Sequence, residues 1–217
     1  MVKNLLFDFD GTIVDTSEGI IKSINYAFNK LGLDIINNTD IKKVIGPPLE
    51  EMFEILLITK NKELIDKAIH YFRERYSKKG LYELKLYDGV EETLEYLYKV
   101  NINMFIVTSK PYEFTKTICE NLNIQKFFKN ISGSNLNGEL KSKGDRIGET
   151  ISNYNLNIKE TLMIGDRQED AFAAKQNNIN TIGMLYGFGT KIDLENSKCK
   201  YFCKTFNELK IFFKNKS

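Results

Sequence analysis

The chain is expected to be an α/β protein. A parallel-sheet core is drawn from residues 1–15 and 82–217, and an all-helical segment over 16–81 is inserted after the first strand. Two observations predict this. Short runs such as Leu5-Leu6-Phe7, Met104-Phe105-Ile106-Val107 and Leu162-Met163-Ile164 are apolar throughout and alternate with helical patterns. Strands of that kind are buried on both faces, as in a parallel sheet covered by helices. Residues 16–80 carry helical spacing only, with no convincing strand.

In order, residues 3–7 read as a buried strand, and Asp10-Gly11-Thr12 as a turn. Asp15 and Glu18 have the spacing of a capping box before Ile20, Ile21, Ile24, Ala27, Phe28 and Leu31, and Gly32 ends that helix. Gly46-Pro47-Pro48 breaks the pattern, and Leu49–Ile58 resumes it. Residues 61–76 place Leu64, Ile65, Ala68, Ile69, Phe72 and Tyr76 on one stripe. Asp88 and Glu91 are read as caps of a helix whose face is Val90, Leu94, Leu97 and Tyr98. A strand over 103–107 ends in Thr108-Ser109, and Pro111 opens the next helix. A weaker strand at 127–131, a helix at 145–153, a strand at 161–164 ending in Gly165-Asp166, a helix at 170–176 and a strand at 179–182 follow. Near the end, Phe202 closes a strand, and Thr205 and Glu208 box a helix carrying Leu209, Phe212 and Phe213, with a fraying lysine-rich end.

Ligand sites of open parallel sheets lie at the carboxyl ends of the strands. Three strands here end in polar chemistry, so Asp8, Asp10, Asp166 and Asp170 are expected to crowd one rim. Carboxylates that close repel unless a shared proton or a cation holds them. A hard divalent ion with oxygen ligands resolves the repulsion, and Mg²⁺ suits a few carboxylates plus a substrate phosphate. Thr108 and Ser109 offer hydroxyls at a helix start, and Lys143 offers a point charge for a phosphate. In such a site Asp8 attacks phosphorus and Asp10 serves as acid and then base. Lys143 and Thr108 hold the developing charge.

The run Asp8-Phe9-Asp10-Gly11-Thr12 resembles motif I of the haloacid dehalogenase-like hydrolases. Thr108-Ser109 resembles motif II, Lys143 motif III, and Gly165-Asp166-Arg167-Gln168-Glu169-Asp170 motif IV, in order over roughly the whole chain. The resemblance implies a Rossmann-like core, a helical cap and an aspartyl-phosphate intermediate. It implies Asp8 as nucleophile and Asp10 as acid/base, which also lends its backbone carbonyl to Mg²⁺. Thr108 becomes the phosphate-binding residue, Asp166 completes the metal site, and Asp170 supports it. Lys143 becomes the motif lysine, with Lys141 as rival. The chain departs from the common Lys-Pro-x-Pro pattern by reading Lys143-Gly144-Asp145. Because Asp10 is present, phosphorus rather than carbon–halogen chemistry is favoured.

The expected substrate is a small phosphomonoester. The overall pattern favours phosphoglycolate; a 5′-nucleotidase or broad sugar-phosphate phosphatase is the alternative, followed by a phosphomutase and a non-enzymatic phosphate binder. Gly46–Leu49 and Arg73 are candidate substrate-reading positions, each weighed against a plain helix turn or a solvated face. Phe9 is read as packing, His70 as a surface residue, and Tyr186-Gly187-Phe188-Gly189 as a rim loop. No Gly-x-Gly-x-x-Gly follows the first strand, so a dinucleotide site is not supported.

With net charge +2 and no arginine-rich face, a nucleic-acid polymer is not an expected partner. Apolar runs fall far short of the ~20 residues of a spanning helix, and the N-terminal stretch lacks a signal-peptide pattern. Cys119, Cys199 and Cys203 fit neither a disulfide framework nor zinc spacing, which makes the cytoplasm the expected compartment. A monomer or weak dimer is equally compatible with the sequence.

Overall fold

A computed structural model describes residues 2–136 and 141–214. The chain divides into two compact units, residues 1–14 with 86–217, and residues 15–85.

The first unit is built on a six-stranded sheet. Its strands are β1 (Asn4–Phe7), β4 (Asn103–Pro111), β5 (Asn130–Ser134), β6 (Thr161–Gly165), β7 (Asn180–Met184) and β8 (Tyr201–Cys203). Their order is β5-β4-β1-β6-β7-β8, and all five neighbouring pairs are parallel. The chain builds outward from β1 to β4 and β5, then returns to the other side of β1. That return is the topological switch at which open parallel sheets place ligands. Successive residues of β1 point to opposite faces. Leu6 packs with Phe105, Val107, Ile147, Met163, Ala173, Ala174 and Ile179. Phe7 stacks on Phe206 at 6.0 Å between ring centroids and meets Phe128 edge-on. Truncating Leu6, which is fully buried, to alanine would cost about 2–5 kcal/mol.

Helices α5 (Val90–Lys99), α6 (Tyr112–Asn121), α7 (Lys143–Asn153), α8 (Gln168–Gln176), α9 (Lys191–Asn196) and α10 (Phe206–Lys214) complete this unit. Two local expectations are corrected. Asp88 does not cap α5; Gly89 holds that position at φ +81°. Strand β4 does not stop at Val107 but runs to Pro111, so Thr108 and Ser109 lie in the strand rather than at the start of α6. At the C-terminal helix Thr205 Oγ1 accepts from Glu208 N at 3.3 Å, and Glu208 Oε2 accepts from Lys204 N at 2.7 Å. The expected lysine-rich end beyond Lys214 lies outside the described residues.

The second unit holds α1 (Ser17–Lys30), α2 (Asn38–Val44), α3 (Leu49–Leu57) and α4 (Lys62–Tyr76). Its core is an aromatic file: Phe28 stacks on Phe53, Phe53 meets Phe72 edge-on, and Phe72 stacks on Tyr76 at 5.0 Å. The Asp15–Glu18 capping box does not form. Thr16 takes the N-cap position, Asp15 Oδ1 accepts from Ser17 N at 3.0 Å, and Glu18 pairs with Lys22. The reason is local: Asp15 still belongs to the two-residue strand β2 (Val14–Asp15), so the helix begins one residue later; a second two-residue strand, β3 (Lys85–Leu86), follows much later in the chain. His70 is exposed on α4. Arg75 grips Glu83 through Nη1–Oε2 at 2.7 Å and Nη2–Oε1 at 2.9 Å, which ties the returning chain to α4.

Candidate active site

The site is assembled at the carboxyl ends of β4, β1 and β6, three adjacent strands of the sheet. Asp8 follows β1 directly, and its backbone N–H donates to Ile164 O of β6 at 2.8 Å. The chain then folds into a tight loop in which Phe9 O accepts from Ile13 N at 2.9 Å and Gly11 N donates to Val14 O at 2.8 Å. Phe9 itself is fully buried, so it packs. Gly11 stands at φ +82°, and a Cβ there would collide with the Asp166 carboxylate. Glycine is needed for both reasons.

Asp8, Asp166 and Asp170 each offer a carboxylate oxygen, and these oxygens lie within 4.8 Å of one another. All three residues are buried. Lys143, the first residue of α7, reaches into the group, with Nζ 3.0 Å from Asp8 Oδ1 and 2.7 Å from Asp170 Oδ1. Its neighbour Lys141 instead pairs with Glu149 at 2.7 Å on exposed surface. Gly144 lets α7 approach α8, since a Cβ there would strike Gln176.

The electrostatics follow from burial. Asp166 and Asp170 both have raised pKa values, first because burial penalises the charged form. For Asp166, the nearby Asp170 and Asp8 carboxylates add to the rise, while the Phe188 N–H and the Thr12 hydroxyl oppose it. For Asp170, Lys143 opposes the rise. Burial alone would lower the pKa of Lys143, yet Asp170 and Asp8 outweigh it and hold the ammonium above its ordinary value. When all three acids are ionised, they exceed the one ammonium by two negative charges, carried on buried carboxylate oxygens. Unbalanced charge is costly there, and a divalent cation with a preference for oxygen matches both the count and the donor type. The donor set therefore fits Mg²⁺.

The metal contact expected of Asp10 is its backbone carbonyl, with its carboxylate serving as acid and base. Its carboxylate does not join the other three. Lys110 Nζ lies 3.1 Å from both of its oxygens, and that ion pair draws it off. Thr108 is buried, and its Oγ1 accepts from Lys110 N at 3.2 Å. Lys110 went unassigned in the sequence because the apolar run stops at Val107 and the register of β4 on β5 shifts between Val107 and Pro111.

The loop after β7 backs the site. Tyr186 Oη donates to Thr12 O at 2.6 Å, Thr12 Oγ1 donates to Asp166 Oδ1 at 2.8 Å, and Phe188 N donates to Asp166 Oδ2 at 2.7 Å. A Cβ on Gly187 would run into the Asp166 side chain. On α8, Asp170 Oδ2 accepts from Arg167 N at 3.1 Å, so the same carboxylate that meets Lys143 also caps its own helix. In the 15–85 unit, Gly46-Pro47-Pro48 forms the turn between α2 and α3, and Arg73 lies half-buried on α4. No helix among the described residues is long and apolar enough to cross a membrane.

Comparison with known proteins is consistent with this geometry. A family model described as haloacid dehalogenase-like hydrolase matches residues 5–184. A 5′-nucleotidase of Pseudomonas aeruginosa is 34% identical over 200 residues, covering 92% of this chain and 90% of that protein. A phosphoglycolate phosphatase of Colwellia psychrerythraea is 28% identical over 219 residues, covering 97% and 96%. The crystal structure of a predicted phosphatase from Clostridium acetobutylicum superposes with a TM-score of 0.93 at 35% identity, covering 99% of each chain.

Proposed function

The chain belongs to the haloacid dehalogenase-like hydrolases and is a phosphatase, and from that premise we propose that it hydrolyses nucleoside 5′-monophosphates through an aspartyl-phosphate on Asp8. The chemistry rests on one observation. Asp8 is buried against Lys143 at 3.0 Å, while Asp10, two residues on, is held apart on Lys110 at 3.1 Å. Two neighbouring carboxylates in different surroundings suit two different roles.

Asp8 Oδ attacks phosphorus, and the P–O bond to the nucleoside breaks. Asp10 delivers a proton to the departing 5′-oxygen. A water then attacks the aspartyl-phosphate, Asp10 takes its proton, and inorganic phosphate leaves with Asp8 regenerated. Lys143 and the Thr108 hydroxyl meet the charge that grows on the phosphoryl oxygens. Asp8, Asp166 and the Asp10 carbonyl, with Asp170 in support, would hold Mg²⁺, which would supply charge neutralisation at the phosphate.

The substrate class rests on the 34% identity with the Pseudomonas 5′-nucleotidase, above the 28% with the Colwellia phosphoglycolate phosphatase. The sequence pattern favours phosphoglycolate, whereas the identities to these two relatives support the nucleotide reading better. The test is a comparison of kcat/KM for nucleoside 5′-monophosphates, phosphoglycolate, pyrophosphate and hexose phosphates, with free phosphate measured. A preference of about tenfold or more for a nucleotide is expected. A like preference for phosphoglycolate, or isomerisation of a hexose phosphate with little phosphate released, would overturn the reading.

A further inference from the structure

Asp10 lies two residues from Asp8 and is expected from the sequence to crowd the same rim, yet its carboxylate stands outside the cluster of Asp8, Asp166 and Asp170. The cause lies on β4. Between Val107 and Pro111 the pairing with β5 shifts: Val107 lies opposite Ser132, but Pro111 lies opposite Ser134. Four steps along β4 therefore match two along β5. Such irregularities re-aim side chains at the ends of strands beside active sites. Here the irregular stretch carries Lys110, whose side chain is only 5% exposed. Its backbone is braced on both sides, since Lys110 N donates to Thr108 Oγ1 at 3.2 Å and Ser134 Oγ donates to Ser109 O at 2.8 Å.

The two ammonium groups divide the acids between them. Lys143 holds Asp8 and Asp170, whereas Lys110 takes both oxygens of Asp10 at 3.1 Å. We propose that Lys110 is a positioning residue that keeps the Asp10 carboxylate out of the metal centre, so that Asp10 is available for proton transfer instead of becoming a further metal ligand. The role of Asp10 rests on the proposed phosphatase reading; the claim about where its carboxylate goes does not. Removing Lys110 would free a carboxylate beside an oxygen-liganded cation, and cation affinity rises with the number of charged ligands. A purely supportive lysine would instead leave metal affinity flat or weaken it.

The experiment titrates Mg²⁺ calorimetrically into the wild type, Lys110→Met, Asp10→Asn and the double variant, without substrate. Lys110→Met is expected to bind Mg²⁺ at least ~3-fold more tightly while kcat falls about tenfold or more. The tightening should vanish in the Asp10→Asn background. That arm separates capture of the Asp10 carboxylate from simple loss of a nearby positive charge, which would tighten binding in both backgrounds. Unchanged affinity in Lys110→Met, or equal tightening with and without Asp10, overturns the proposal. Should Lys110→Met fail to fold, Lys110→Gln, which keeps a polar stem without the charge, carries the same comparison. A wild type that binds Mg²⁺ but hydrolyses no phosphomonoester would end the functional reading and leave the Lys110 comparison intact.

Discussion

The Lys143 ammonium sits between Asp8 and Asp170, 3.0 Å from an oxygen of one and 2.7 Å from an oxygen of the other. One cation therefore joins the carboxylate that follows β1 to the carboxylate in the first turn of α8. Both acids are buried, so removing the ammonium strands charges that water cannot reach. Breaking a buried pair in this way costs about 3–5 kcal/mol. Lys143→Met is expected to lower the melting temperature at neutral pH without metal, and Mg²⁺ should recover more of that loss than it adds to the wild type. Phosphatase activity should fall by at least ~100-fold. Calorimetric melting with and without Mg²⁺ checks the first outcome, and a variant as stable as the wild type would show that Lys143 does not balance the cluster.

Metal dependence follows from the residual charge. Hydrolysis of p-nitrophenyl phosphate should stop in EDTA and return on adding Mg²⁺. Asp166 is fully buried, and its two oxygens are already committed to the Thr12 hydroxyl and the Phe188 N–H. Asp166→Asn removes the charge while its amide can still accept from Phe188 N–H and donate to the Thr12 hydroxyl. Mg²⁺ affinity should drop about 10-fold or more, with activity falling in parallel. Full activity in EDTA would remove the metal from the reaction.

The Arg75–Glu83 pair predicts a pH effect on the 15–85 unit. Two hydrogen bonds of 2.7 and 2.9 Å join them, and the Arg75 hydrogen bond is the main reason the Glu83 pKa lies below the ordinary glutamate value. A depressed carboxylate pKa stabilises the fold above the unfolded value of about 4.3, and that contribution is lost as pH falls through the lower folded value. Glu83→Gln should therefore cost about 1 kcal/mol at pH 7, and the gap from the wild type should close in acid. Melting curves of both proteins at pH 7 and below pH 4 decide it (about 4 being the ordinary glutamate range). A gap that is constant with pH would mean that packing, not charge, holds Glu83.

Much of the catalytic rim was legible because each of its acids follows an apolar run that could only be a buried strand. Asp8 comes straight after Leu5-Leu6-Phe7, and Asp166 straight after Leu162-Met163-Ile164-Gly165. Lys143 was legible by its place before a helix, and its contact with Asp170 depends only on α7 and α8 lying side by side. Lys110 was not legible. Its inward direction depends on a pairing shift between β4 and β5, and a shift of that kind has no periodic trace in either strand alone. Helix α2 went unplaced for a different reason: Asn38–Val44 buries Ile41 alone, too little for a 3.6-residue pattern. Asp15 and Glu18 had the spacing of a box, but spacing does not reveal that Asp15 remains in a strand.

Arg73 provides the last test, of substrate choice. It lies half-buried on α4, and burial lowers the pKa of its guanidinium. Arginine combines a planar fork of donors, suited to ribose and base oxygens and nitrogens, with a flat face that stacks on aromatic rings. If Arg73 reads a part of the substrate remote from phosphorus, its removal should alter discrimination and leave the chemistry alone. Arg73→Ala is then expected to raise KM for a nucleoside 5′-monophosphate by about tenfold, with kcat for p-nitrophenyl phosphate unchanged. Arg73→Lys should recover only part of the loss, because an ammonium lacks the fork. An equal loss on both substrates, or a fall in melting temperature that accounts for it, would assign Arg73 to packing of its helix. Because p-nitrophenyl phosphate lacks the ribose and base, the ratio of the two KM changes isolates recognition of the nucleoside from any general weakening of the enzyme.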